Sequence, residues 1–435
     1  GITALLPLVV FPLSGALGIV DTAALYGQRV FFWLMGLSLL AFALIKHGIA
    51  KRFALAFLTI PGIGDSTNRL LFFFMLATAC VSMFVSDGSA VAIMLPIGLS
   101  IHAYVMTLSG QDLSENNGPR LRTFFALGTL YAAVSGGIAT LVGMPHSAVA
   151  MDQLETLTGR EIGWFTWMSL GVPIFATLLV CNYFLLRFFF KPEVDSIPGG
   201  RDFLFEERRK LGRMSLGEKS VLSIFLTMAA LFVIPSLLPG ILGEENAFSI
   251  WVDNAISIWM VPPFVMLMLF IAPSNLQKHE FVLDWKEATE HISWGVLLMV
   301  TSAIAVVQAL SSLGFTEVLT QYIRDTSVSA YGLPYVTGLA TSISTNFMSG
   351  VAASALITAV MVPVAETVNF STVAITIMVP ATAMGIVFPW AGPTVATAFG
   401  ISNIELKDLI RVGIVAEIIM IIVAGTYCLL IGPFL

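Results

Sequence analysis

Long apolar runs alternate with short polar stretches along the whole chain, falling near 3–20, 29–45, 70–107, 123–150, 163–190, 220–242, 255–272, 292–313, 331–365, 371–400 and 410–435. A hydrocarbon layer about 30 Å thick needs about 20 apolar residues per helical crossing, so these runs predict a bundle of membrane-spanning helices. Several runs carry Gly and Pro in their interiors, notably around Ser86, Pro145, Ser349 and Pro393. Lipid tolerates interrupted backbone only where other protein or a water-lined cavity satisfies the freed N–H and C=O groups, so these segments are expected to face a site.

The interruptions recur in order. LMGLSLLAFALIKHG ends at Gly48, MFVSDGSAVAIMLP surrounds Ser86, and TLVGMPHSA surrounds Pro145. VTSAIAVVQALSSLG ends at Gly314, NFMSGVAASALITAVMVP surrounds Ser349, and FPWAGPTVA surrounds Pro393. Three landmark types in one sequence predict an internal repeat. Its first half is 1–190, with a hairpin near 70–97 and an unwound loop near 143–146. A linker follows at 191–219, and the second half is 220–435, with a hairpin near 331–365 and an unwound loop near 391–394. Paired interrupted segments of this kind point to a secondary transporter with its site at mid-depth between the halves.

Composition agrees with the pattern. Of 435 residues, 57% are apolar and only 11% charged, whereas soluble domains carry about 25% charged residues. This predicts an all-α, multi-pass integral membrane protein and excludes a disulfide scaffold, a coiled coil and a disordered regulator; the expected location is the plasma (inner) membrane. The net charge of -6 comes with no basic face interleaved with aromatics, so no nucleic acid partner is expected. Arg187, Lys191, Arg201, Arg208, Arg209, Lys210, Arg213 and Lys219 cluster around the linker, which the positive-inside rule places in the cytoplasm. Cys80, Cys181 and Cys428 each sit in an apolar segment and read as small buried hydrophobes. The chain opens GITALLPLVV, inside apolar sequence and without an initiator Met. The natural terminus, with one or more further helices, is therefore expected to precede Gly1.

Candidate chemistry gathers at the interruptions. A break at Ser86, Asp87 and Gly88, with SAVAIMLP beginning a helix, would present free N–H groups and a positive dipole end to an anion. Ser349, Gly350 and Val351 would do the same in the second half. Loops at Gly143, Met144, Pro145 and His146 and at Ala391, Gly392, Pro393 and Thr394 offer unwound carbonyls for a cation or further contacts for an anion; each could equally be a Pro kink. Asp87 is costly in an apolar segment and marks a pathway or relay, unless it only caps its helix by accepting from Ser89 or Ala90. Beside a dianion its charge calls for a neutralising cation or proton, which makes it a candidate coupling residue. His146, protonated, would offset substrate charge; neutral, it would be a packing residue. Glu417, within AEIIMIIV, is expected to pair with a neighbour or reach an interface. Lys46, His47, Lys51 and Arg52 form a basic turn whose side chains snorkel to headgroups. HExxH, GxSxG and Walker patterns are all missing, so no enzyme and no cofactor are expected.

MFVSDGSAVAIMLP resembles the hairpin signature of the divalent anion/sodium symporter (dicarboxylate transporter) family, in which Ser, Asn and Thr precede an Ala-rich run ending in Pro. IATLVGMPHSAVA is similar to that family's companion loop, and the similarity runs from ITALLPLVVFPLSGALGI to FPWAGPTVATAFG. The resemblance implies a homodimer of eleven-helix subunits in membrane lipid, each with a scaffold part and a transport part bearing two re-entrant hairpins. It implies elevator-type alternating access for small di- or tricarboxylates such as succinate, malate or 2-oxoglutarate, as symporter or exchanger. The substrate contacts would then be Ser86, Asp87, Gly88, Ser349, Gly350, Val351, Pro145, His146, Pro393 and Thr394. Sodium would sit with Ser82, Ser86, Asp87 and the Gly143 carbonyl, and more weakly with Thr345 and the carbonyls of Met348, Ala391 and Pro393. This chain departs from the family where Asp87 and Gly88 follow Ser86, and where Gly350 and Val351 follow Ser349, in place of Asn and Thr. Sodium coupling, proton coupling and anion exchange therefore all stay open. The rival readings are a passive anion channel and a carrier of another small anion such as sulfate.

Overall fold

The computed structural model describes the chain except residues 1, 61–62, 64–65, 109–118, 196–199, 244–245, 316–317, 319–320, 323–328 and 403. The first half opens with α1 (Pro7–Ser14), α2 (Ile19–Leu25), α3 (Arg29–Lys46), α4 (Ile49–Leu58), α5 (Thr67–Ser82) and α6 (Asp87–Leu108). It continues with α7 (Pro119–Ile138), α8 (Pro145–Thr158) and α9 (Trp164–Phe189). The linker carries α10 (Gly200–Lys210), and α11 (Leu216–Leu242), α12 (Ala247–Ala255) and α13 (Val261–Ile271) follow. The remaining helices are α14 (Trp285–His291), α15 (Trp294–Ser312), α16 (Leu333–Thr345), α17 (Gly350–Thr367), α18 (Thr372–Thr382), α19 (Pro393–Ser402) and α20 (Leu406–Ile431). One antiparallel pair, β1 (Pro273–Asn275) with β2 (Glu280–Phe281), departs from the all-α expectation only as a turn between α13 and α14.

Eight helices among the described residues are long and apolar enough to cross a membrane. The interrupted runs become pairs of shorter helices. At 1.5 Å per residue, α5 reaches about 24 Å, α16 about 20 Å and α18 about 16 Å, all short of a bilayer's hydrocarbon thickness. Their ends are therefore placed within the depth of the bundle. The apolar run near 3–20 differs from a single crossing. It divides into a 3-10 turn, α1 and α2, with Gly15 at φ 74° closing α1. The linker is structured too: Arg208 donates to the Thr59 hydroxyl at 2.8 Å, and Arg52 donates to Glu218 and to the carbonyls of Leu211 and Gly212. Arg52 is thus tied to protein rather than free to snorkel.

The repeat is visible residue by residue. Gly48 after α3 and Gly314 after α15 both adopt left-handed backbone, at φ 75° and 77°, a conformation that costs glycine no Cβ clash. α5 and α6 pack on each other and on α7, and α7 packs on α9; α16, α17, α18 and α20 repeat that arrangement. Gly171 and Gly413 are each the eighth residue of a 26-residue helix, α9 and α20. A Cβ on Gly171 would stand 2.6 Å from the Ile138 carbonyl oxygen, and one on Gly413 would stand 2.8 Å from that of Ile386. Small residues let backbones approach this closely where apolar surface gives no preference between lipid and protein.

The halves are not separate bodies. α8 packs against α17 and α18, whereas α19 packs against α6 and α7. Each half thus sends the helix after its second interruption into the other half.

Candidate functional site

The crossing of α8 and α19 brings each hairpin tip to the first turn of the helix that follows the opposite half's interruption, while each tip also meets the interruption of its own half, Met83 at Thr140 and Gly350 at Ala383. At the first tip, Ser86 is non-helical and its hydroxyl donates to Ser89 at 3.0 Å, while the Ala90 amide donates to the Ser86 carbonyl. Asp87 begins α6. Its Oδ1 accepts from the Gly88 amide at 2.8 Å, and its Oδ2 accepts from the hydroxyl of Thr394 on α19 at 3.1 Å. The amides of Ser89 and Ala90 are not its partners, so the carboxylate serves as a tie between halves rather than as the cap the sequence offered. A Cβ on Gly88 would meet Thr394 Oγ1 at 3.4 Å, an ordinary contact, so the pairing of Asp87 with Thr394 does not depend on a glycine there.

The second tip has the same plan with different chemistry. Ser349 caps α17, its side chain accepting from the Ala352 amide at 3.2 Å. A Cβ on Gly350 would stand 2.6 Å from the Ala383 carbonyl oxygen and 3.6 Å from His146 Nδ1. His146 belongs to α8 of the first half and is buried, with its Nε2 lacking a hydrogen-bond partner. Val351 is buried with the apolar core, so its side chain packs and only its backbone faces the tip. Pro145 and Pro393 are the first residues of α8 and α19, where a missing N–H costs the helix nothing.

The two interruptions differ in length, spanning 139–144 and 383–392. In the first, the Trp167 indole donates to the Ile138 carbonyl at 2.9 Å, and Thr140 donates to the Met83 carbonyl. In the second, the Ile386 amide donates to Glu417 at 3.0 Å and the Val387 amide to Asn346 Oδ1 at 3.3 Å. These are backbone groups that unwinding had freed, and each must find a partner inside the bundle.

The residues expected to hold a cation fall into these two layers. Ser82 is fully buried and donates to the Ala133 carbonyl at 2.6 Å, and the Gly143 carbonyl lies against Gly137. Thr345 donates to the Ser342 carbonyl at 3.0 Å, Ala391 is buried, and Met348 is 40% exposed. Among the described residues no three His, Cys, Asp or Glu side chains gather as a metal site. Oxygen atoms are the donors on offer, and these suit hard cations.

One cluster was not anticipated. Arg29, at the start of α3, donates to Asp152 at 2.8 Å and to Glu155, and lies 4.5 Å over the Trp259 ring. Trp259 Nε1 donates to Glu155 at 3.0 Å. Asp152 and Glu155 share one face of α8 at i,i+3 spacing, which was the sequence signal available for them.

The sequence profile described as the sodium:sulfate symporter transmembrane region matches residues 1–435. Similar curated proteins include the sodium-dependent dicarboxylate transporter SdcS of Staphylococcus saprophyticus, 30% identical over 97% of this chain and 80% of its own length. SdcS of Staphylococcus aureus is 29% identical with the same coverage. Among solved structures, Neisseria gonorrhoeae MtrF, of a class of antimetabolite efflux pumps, aligns at TM-score 0.60 and 12% identity over 97% of this chain and 84% of that one. The Alcanivorax borkumensis YdaH transporter aligns at TM-score 0.55 and 13% identity over 98% and 88%. These two likenesses concern the fold.

Proposed function

The chain belongs to the family of the sodium:sulfate symporter transmembrane region, a multi-pass membrane transporter family without enzymatic chemistry, and on that premise we propose that it is a sodium-coupled carrier of small dicarboxylates. The observation that carries this reading is the crossed arrangement of the tips. Asp87 of the first half bonds Thr394 of the second, and Gly350 of the second half abuts His146 of the first. A small anion between them touches both halves and meets the amino ends of α6 and α17, where free N–H groups and the helix dipole favour negative charge. Asp87 would repel that anion unless a cation accompanied it, and this is the physical basis for coupling. The SdcS relatives, sodium-dependent dicarboxylate transporters, support both the class of anion and the ion.

Alternating access follows as movement of the hairpins with α7–α9 and α18–α20 against α3, α11 and α13, in a homodimer joined through the latter set. Purified protein in proteoliposomes, given an inward sodium gradient, should take up succinate, malate or 2-oxoglutarate saturably and in preference to sulfate and monocarboxylates. No saturable dicarboxylate uptake would refute the proposal. Current without counterflow would identify a channel.

A further inference from the structure

Below the second hairpin tip lies a buried carboxylate with no counterpart at the matching position of the first half. Glu417 accepts from Ser342 Oγ at 2.6 Å, from Asn346 Nδ2 at 2.8 and 2.9 Å, and from the Ile386 amide at 3.0 Å. The Val387 amide donates to Asn346 Oδ1, which fixes the orientation of that amide group. No basic side chain among the described residues forms an ion pair with Glu417. Hydrogen bonds satisfy its oxygens but leave its net charge in a low-dielectric interior.

The neighbours of its donors matter more. Thr345 precedes Asn346 and Gly385 precedes Ile386. A Cβ on Gly385 would stand 2.4 Å from the Thr345 carbonyl oxygen and 2.8 Å from Ala391 Cβ. Glu417 therefore ties together the two chain segments, one from α16 and one from the interruption, that bring Thr345 beside Ala391. In the first half the corresponding helix position is Phe175 on α9, and the positions matching Asn346 and Ser342 are Met83 and Ala79. There the fixed charge stands at the tip, on Asp87. In the second half the tip carries Gly350 and the charge is set deeper, on α20.

We propose that Glu417 is the positioning residue and charge partner of the second-half sodium site that the family resemblance already implies at Thr345 and Ala391, acting without ligating the ion itself. The proposal rests on the reading of the chain as sodium-coupled. It gives each half one carboxylate to offset one cation.

Glu417→Gln keeps the size and an acceptor for Asn346 or Ile386 while removing the charge. Two readouts apply to detergent-purified protein and proteoliposomes: the sodium dependence of the melting temperature, titrated against potassium at constant ionic strength, and the sodium dependence of succinate uptake. In the variant, half-saturating sodium should rise about tenfold or more in both, and the Hill slope of uptake should fall toward one. The succinate concentration for half-maximal uptake at saturating sodium should stay within about twofold, as should the stability in potassium alone. Unchanged sodium dependence with a lower maximal rate would reduce Glu417 to a structural tie and overturn the proposal, as would a wild type whose melting is indifferent to sodium. A wild type stabilised by sodium but unable to transport dicarboxylates would instead refute the substrate reading and leave the sodium site standing. Should Glu417→Gln fail to fold, Glu417→Asp keeps the charge and must hold half-saturating sodium within about threefold; a tenfold rise there would overturn charge as the cause.

Discussion

Asp87 is a carboxylate at the amino end of α6, bonded across the halves to Thr394 and at no described point paired with a base. Asp87→Asn leaves the size unchanged; its amide oxygen can still accept from the Gly88 amide while its amide nitrogen donates to the Thr394 hydroxyl, which turns its own proton elsewhere, so stability should change by less than about 1 kcal/mol. The charge is another matter. A unit charge about 4 Å from a bound cation contributes up to about 4 kcal/mol at an effective dielectric of 20. Sodium should therefore bind at least about tenfold more weakly in the variant, read as the half-saturating sodium for dicarboxylate uptake, with melting temperature as the check on folding. An unaltered sodium response would leave Asp87 as a mechanical tie between α6 and α19. The sequence singled out Asp87 because acids are scarce in apolar segments. Its partner Thr394 was named as a site residue as well, yet their pairing was not legible, because 307 residues separate them.

At the scale of elements, α8 does two jobs. Its first turn presents His146 to Gly350, and its later turns present Asp152 and Glu155 to Arg29 of α3. If α3 belongs to the stationary frame and α8 to the moving part, this cluster is a tie that transport must release. Arg29 is about a third exposed, whereas Asp152 is nearly buried. Removing the guanidinium strands two neighbouring carboxylates. Arg29→Gln should destabilise the protein by about 3 kcal/mol, the low end for breaking a buried pair because Arg29 keeps some water. Neutralising all three residues, as Arg29→Gln with Asp152→Asn and Glu155→Gln, should recover most of that loss in thermal melting. A triple variant no more stable than the single one would show that packing against Trp259, rather than charge, holds the cluster together.

Across the whole molecule, the proposed site draws on both halves, because α8 and α19 are exchanged between them. The linker that joins them is held by Arg52 and Arg208, and its helix α10 is strongly basic at its carboxyl end. A cytoplasmic linker should leave a cysteine at an exposed α10 position, Glu206→Cys in a background without Cys80, Cys181 and Cys428, unreactive to impermeant maleimide in intact cells and reactive after permeabilisation. Labelling of intact cells would invert the topology. The apolar face of the bundle needs no such sorting, since lipid covers it.

Apolar run lengths are set by the thickness of hydrocarbon, and unwound segments by Gly and Pro, so membrane spanning, two hairpins, two interruptions and their repetition could all be read along the chain. Gly48 and Gly314 were legible as landmarks because only a residue without a Cβ turns there cheaply. Partnership was not legible. Hydrogen bonds and ion pairs in a bundle join residues that sequence distance does not relate, so Asp87 to Thr394, Glu417 to Asn346 and Arg29 to Asp152 emerged only when the helices were packed. The sequence could say that Glu417 would find a neighbour. Which neighbour, and that it ties the second interruption beneath a hairpin tip, was decided by tertiary structure, because the freed amide of Ile386 had to be answered by whatever acceptor the packing of α20 brought within reach.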